Sequence, residues 1–257
     1  MDFHIESAGE GPAIVFLHAG VADSRMWRDQ MSLDGYRSIA FDRRGFGKTP
    51  LGDEQFSDWE DAIAVLDHLG VDSATIVGCS MGGATALEVA IERPDRVDAL
   101  VLVGAAPAGW EPEGDWEDHP LWEEAVAAYK AGDLDRVAEI DMEMWLVGYG
   151  RDSSGIDPSL KELFLDMDRT PLRTEDKRNE LSKRYEKGHL DHLDAISAPT
   201  LVIIGEHDES YLLAAADFLA QKLSDRPPVV LAGTAHLPSF EKPEEFNSAL
   251  AGFLGSL

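Results

Sequence analysis

The sequence predicts an α/β protein built on a mostly parallel sheet, covered by helices on both faces and interrupted by a long helical insertion. Three observations support this. Short apolar runs recur at 13–17, 37–41, 74–77, 99–103, 200–204 and 228–231, suited to strands buried on both sides. Helical spacing fills most of the gaps between them, as a parallel sheet requires. From about residue 108 to 193 the alternation stops, and Trp, Tyr, Met and charged residues at helical spacing take over.

Each element follows from local chemistry. After the second run, 58–69 places Trp59, Ile63, Leu66 and Leu69 on one helical face, with Ser57 at the N-cap position. Residues 83–93 form a helical stretch after the third run. Within the insertion, helices are expected over 121–131, 134–147, 159–168 and 174–187, separated by Gly132-Asp133, by 148–158 and by Thr170-Pro171. Met142, Met144, Trp145, Tyr149, Phe164 and Met167 in this insertion suit helix-to-helix packing better than a pocket wall. Two more helices, 211–223 and 243–254, close the chain, the second with Pro243 in its first turn. The division is core (1–107), helical lid (108–193) and core again (194–257), a sheet of six or seven strands without repeats or low-complexity tracts.

Composition narrows the function. With 257 residues and 44% hydrophobic side chains, the chain can bury one large core, or one core with an inserted subdomain. No run approaches the roughly 20 apolar residues of a membrane span, and MDFHIESAGEG lacks the regions of a secretion signal. The expectation is a soluble, cytoplasmic protein without a membrane partner. A formal charge of −27, from 49 acidic and 22 basic residues, repels nucleic acid. Its densest acidic patch, 111–124, suits a solvated face. The lone Cys79 excludes an internal disulfide and multi-cysteine metal sites, and reads as a small apolar filler.

The chemistry centres on Gly78-Cys79-Ser80-Met81-Gly82, a G-x-S-x-G box between an apolar run and a helical stretch. A serine on such a sharp strand-to-helix turn projects its hydroxyl clear of the backbone. The Met81 N–H, at the positive end of a helix dipole, suits an oxygen that becomes negative during reaction. A nucleophilic serine needs a base and a group that orients the base. His236 lies in a small-residue loop after the last strand, and Asp208 follows the strand 200–204. Both sit at strand carboxyl ends, where open parallel sheets gather catalytic groups. Glu206 is the competing acid.

These motifs resemble the α/β-hydrolase superfamily over nearly the whole chain. The supporting residues are Phe16-Leu17-His18-Ala19-Gly20, Trp27, Asp42-Arg43-Arg44-Gly45-Phe46-Gly47, the order Ser-Asp-His, and Glu241-Lys242-Pro243-Glu244-Glu245-Phe246 after the histidine. The resemblance implies Ser80 as nucleophile, His236 as base and later acid, and Asp208 as orienting carboxylate, with Gly20 and Met81 N–H groups as the oxyanion hole. Ala19 stands where the family usually has glycine, leaving Ala19 as the alternative to Gly20. Only Asp2 to Glu6 precedes the Gly9-Glu10-Gly11-Pro12 turn, so the family's first strand is missing and seven strands remain.

The implied function is cofactor-free and metal-free hydrolysis of an ester or lactone of a small to medium organic acid. Carbon–carbon hydrolysis of dienoic diketo acids, a perhydrolase side activity and a catalytically weak ligand receptor are the alternatives. His18 is expected to brace the oxyanion loop, and Asp42 and Arg44 to pin a loop. His119, His189, His192 and His207 are expected at the surface. Trp110, Trp116, Trp122 and Trp145 are expected to close a small-molecule pocket, with Arg151, Arg169, Arg173 and Arg184 available at its mouth.

Overall fold

The computed structural model describes residues 2–112 and 119–257. Among them, seven strands form one sheet: β1 (Ile5–Ala8), β2 (Ala13–Leu17), β3 (Arg37–Phe41), β4 (Ala74–Cys79), β5 (Val97–Val103), β6 (Thr200–Gly205) and β7 (Val229–Leu231). Their order is β1-β3-β2-β4-β5-β6-β7, with β1 antiparallel to β3 and every other pairing parallel. This is the expected fold class and strand number.

Register explains why the strand sequences are apolar on both faces. The row Ala40–Phe16–Val77–Val101–Leu201 runs across β3, β2, β4, β5 and β6, and all five side chains enter one core. One residue earlier, Ile39, Val15, Ile76 and Leu100 enter the other core. Successive side chains point to opposite faces, so each strand supplies two cores at once. Trp27, fully buried, fills the first of these cores against Phe16 and Phe246 at centroid distances of 5.1 and 5.9 Å.

The helices are α1 (Asp58–His68), α2 (Met81–Glu92), α3 (Trp122–Ala131), α4 (Leu134–Asp141), α5 (Pro158–Leu172), α6 (Glu175–Leu181), α7 (Ser210–Leu223), α8 (Pro238–Glu241) and α9 (Pro243–Leu254). Helices α3 to α6 fall between β5 and β6. Ser57 occupies the α1 N-cap position, but its hydroxyl donates to the Glu60 carboxylate three residues on instead of capping a backbone N–H.

Three helix expectations need correction. The single helix expected over 134–147 divides: α4 ends at Asp141, and Met142–Val147 is a π-turn closed by the Gly148 N–H bonding to Glu143 O. Helix α5 runs through Thr170-Pro171 to Leu172, and because Pro171 lies one residue from its end, the lost N–H bond and any bend fall where the helix stops. The last insertion helix stops at Leu181 rather than Lys187. There Ser182 turns extended and bridges Phe56, with Phe56 N–H donating to Leu181 O and Lys183 N–H to Phe56 O. Phe164 and Met167 are buried in the core, consistent with the packing role expected for them. Part of the acidic patch, including Trp116, lies outside the described residues.

Candidate active site

The chain leaves β4 at Cys79 and enters α2 at Met81, so one residue makes the whole turn. Ser80 does so at φ 54°, and it is the only non-glycine residue at positive φ among those described. Such a backbone costs on the order of 1–3 kcal/mol and persists only where its surroundings enforce it. The enforcement is visible. A Cβ at Gly78 would strike the Gly82 carbonyl, and one at Gly82 would strike the carbonyls of Leu17 and His18. Ser80 N–H donates to Val103 O at 2.8 Å, tying the turn to β5.

His236 and Asp208 come from the ends of β7 and β6 and meet in a buried contact. The His236 Nδ1–H lies 3.0 Å from both Asp208 carboxylate oxygens, and both side chains are at most 3% exposed. Asp208 also accepts the Glu209 N–H at 2.9 Å. With Nδ1 donating, Nε2 is the unprotonated nitrogen, the tautomer a base needs. Ser80 and His236 line the same cavity, where the Ser80 hydroxyl makes no hydrogen bond with a described residue. Glu206 is elsewhere, accepting the Gly233 N–H at 2.8 Å.

Behind the pair stands Gly104, at the end of β5 with φ +51°. A Cβ there would lie 3.0 Å from His236 Nδ1 and 3.1 Å from Asp208 Oδ2. The π-turn supplies a second support: Trp145 O accepts the His236 N–H at 3.2 Å, and the indole lies against the imidazole with ring centroids 4.7 Å apart. A third is Glu241, whose carboxylate accepts the Ala235 N–H at 2.7 Å and pairs with Arg151 at 2.7 Å. Burial pushes the Glu241 carboxyl up to about 7 against the pull of Arg151.

On the opposite side, the loop after β2 carries Gly20. The Ala19 N–H is occupied by Met26 Sδ at 3.4 Å, whereas Gly20 N–H has no partner among the described residues. His18 braces this loop. Its Nδ1–H donates to Ala19 O at 2.8 Å, and its Nε2 accepts the Arg43 N–H at 3.0 Å. Burial, with the nearby Arg43 charge, holds the His18 ring well below its ordinary pKa, so it stays neutral. Arg43 Nη2 donates to His18 O at 2.6 Å. Asp42 accepts the N–H groups of Ser24 and Lys48, and Arg44 forks onto Asp61 at 2.6 and 2.7 Å, both pinning loops as expected. Cys79 is buried, and burial pushes its thiol far up, as suits a filler and not a nucleophile.

The cavity has a volume of about 450 Å³. Gly20, Val21, Phe46, Ser80, Met81 and His236 occupy one part of its wall, and the helical segment supplies the rest. Trp122 and Trp145 line it, whereas Trp110 packs on Tyr211 and Phe218. The arginines expected at the mouth are not on the wall: Arg151 is taken by Glu241 and Arg169 by Asp135. The cations that do line it are Lys130 and Arg178, and Arg178 is bound to Asp58 at 2.6 and 2.8 Å. His189, expected at the surface, is fully buried: its Nδ1 accepts the Ala108 N–H at 2.9 Å. His119 is also largely covered, with a side chain 12% exposed.

Sequence reasoning missed a pair of carboxyl groups in this wall. Asp141, from the end of α4, and Asp168, from α5, lie side by side. Burial raises both, Asp141 to about 6 and Asp168 well above its ordinary value, where the Asp141 charge adds to the effect. A hydrogen bond from the Trp145 indole N–H to Asp141 opposes the rise.

A strand-ended serine turn, a buried His–Asp pair and an open backbone donor around one cavity define a hydrolase-type α/β architecture. Residues 12–243 match the alpha/beta hydrolase fold family, to which this chain belongs. It is 28% identical to 3-oxoadipate enol-lactonase 2 of Acinetobacter baylyi, over 93% of this chain and 87% of that protein. It is 29% identical to 2-hydroxy-6-oxo-6-phenylhexa-2,4-dienoate hydrolase of Comamonas testosteroni, over 98% and 90% respectively. Among solved structures, Est816, described as an N-acyl homoserine lactone degrading enzyme, superposes with a TM-score of 0.77 at 26% identity, covering 98% of this chain and 96% of that one.

Proposed function

We propose that this chain is a serine hydrolase that cleaves an ester or lactone of a small to medium organic acid without a cofactor. The observation that carries the reading is Ser80, held at positive φ on the wall it shares with His236. In this mechanism the Ser80 hydroxyl attacks the carbonyl carbon while His236 Nε2 takes its proton. Asp208 holds the ring through Nδ1 and stabilises the imidazolium. The tetrahedral oxyanion accepts hydrogen bonds from the Gly20 and Met81 N–H groups. Collapse passes the proton from His236 to the leaving alkoxide, and a water activated by the same nitrogen releases the acid. Apo sites commonly hold the serine and histidine loosely and tighten them around substrate. Similarity to an enol-lactonase and to a lactone-degrading enzyme supports the substrate class.

The test is Ser80→Ala. Wild type should label with a fluorophosphonate and give a burst of nitrophenol from a short nitrophenyl ester. The variant should do neither, losing on the order of 10⁴-fold or more in turnover. Retention of a tenth of the wild-type rate would refute the assignment. Similarity to the dienoate hydrolase favours carbon–carbon cleavage as a second reading; turnover of a dienoic diketo acid well ahead of every ester would establish it instead.

A further inference from the structure

The carboxyl pair in the cavity wall has no counter-charge. Asp168 is 1% exposed, and its Oδ2 meets no hydrogen-bond donor from the described residues. Its polar neighbour is Asp141, itself an acid, so the missing donor is either a proton shared by the pair or a group brought in by a bound molecule. The charged groups around the pair do not fill the role. Arg169, next to Asp168 on α5, pairs with Asp135; Arg178 of α6 is bound to Asp58; Lys130 of α3 is exposed; and Glu175 of α6 adds a third carboxylate to the wall. His236, the remaining titratable group on the wall besides Tyr129, is engaged by Asp208.

With Asp141 half-buried and Asp168 Oδ2 left without a donor, the pair is costly to keep unless something binds it. From this arrangement we infer that the Asp141–Asp168 wall recognises a protonated amine, so the preferred ester or lactone carries an ammonium group away from its scissile bond. This rests on the hydrolase reading above and names its substrate class. An ammonium group offers three N–H donors, which Asp141, the more exposed of the two, accepts at the cavity wall while the covered Asp168 beside it contributes its charge. The proton shared by the pair then leaves to solvent as the cation arrives, so binding conserves charge through the release of up to one proton. The overall charge of −27 favours approach of a cation, and the same wall disfavours a carboxylate-bearing substrate.

Three probes of one length decide the matter by titration calorimetry on Ser80→Ala protein: 4-phenylbutan-1-amine, 4-phenylbutan-1-ol and 4-phenylbutanoate. The amine should bind about tenfold or more tighter than the alcohol, the worth of one charge-assisted hydrogen bond, and the carboxylate weakest. Repeating the titration in buffers of different ionisation heat should show proton release with the amine alone. Asp168→Asn should remove the amine's advantage while the alcohol binds as before. If the alcohol is lost as well, the substitution has damaged the cavity, and Asp141→Asn is read by the same criterion. Equal affinity for amine and alcohol, or an advantage that survives both substitutions, overturns the inference. Because the readout is binding, failure of every ester as a substrate would refute the hydrolase reading and leave this one to be judged on the ranking.

Discussion

Glu241→Gln separates the charge of a buried carboxylate from its shape. The wild-type side chain is 4% exposed, accepts the Ala235 N–H beside His236, and pairs with Arg151. Its folded-state pKa of about 7 lies above the ordinary 4.5, chiefly through burial, so the folded state binds a proton more readily than the unfolded chain. The stability this supplies is complete below about pH 4.5 and is lost as pH rises through about 7. A difference of that size corresponds to about 3 kcal/mol at ~1.36 kcal/mol per tenfold change in proton affinity. Glutamine keeps the carbonyl acceptor for Ala235 but does not titrate, and it leaves Arg151 unpaired at every pH. The difference in unfolding free energy, wild type minus variant, should therefore shrink by about 2.5 kcal/mol between pH 5 and pH 8, or about 5 °C or more in relative Tm. Urea unfolding of both proteins at pH 5, 6, 7 and 8 measures it, and carboxylates common to both cancel. A difference that is flat across this range, or grows with pH, would refute the reasoning.

Asp208→Asn should lower kcat by about 10⁴-fold by imposing the wrong imidazole tautomer, while Glu206→Gln stays within about twofold; equal losses in steady-state assays would leave the acid unassigned. Gly104→Ala puts a methyl group 3.0 Å from His236 Nδ1 in a left-handed backbone, and should cut kcat about tenfold or more with little change in KM. An unchanged kcat would show that the pair tolerates displacement. Prolonged EDTA treatment should leave ester turnover unaltered, because the proposed oxyanion donors are backbone N–H groups; restoration of a chelated, inactive sample by one metal would contradict the mechanism.

Much of this site was legible because its parts sit at strand ends. Ser80, Asp208 and His236 each follow an apolar run closely, and parallel-strand packing alone brings such loops together. Ala19 against Gly20 could not be decided by sequence, since the answer depends on Met26 Sδ occupying one N–H. The Asp141–Asp168 pair was hidden for a similar reason: the residues lie on different helices, and only the packing of α4 against α5 makes them neighbours. His189 read as a surface residue because its partner, the Ala108 N–H, is 81 positions away. The π-turn at Met142–Val147 has no simple sequence pattern, so the contact of Trp145 with His236 could not be foreseen, although Gly104 directly after β5 was a readable signal of close approach.

The two grips on the histidine loop bear on protein engineering. The Trp145 carbonyl and the Arg151–Glu241 pair both reach across from the segment between β5 and β6 to the loop that carries His236. That segment is therefore not an exchangeable cassette. A chimaera that imports the corresponding stretch of a relative to change specificity also replaces the residues that seat the histidine. Such grafts should fail in turnover before they fail in folding, and reinstating Trp145, its π-turn and Arg151 is the minimum a transplant must carry.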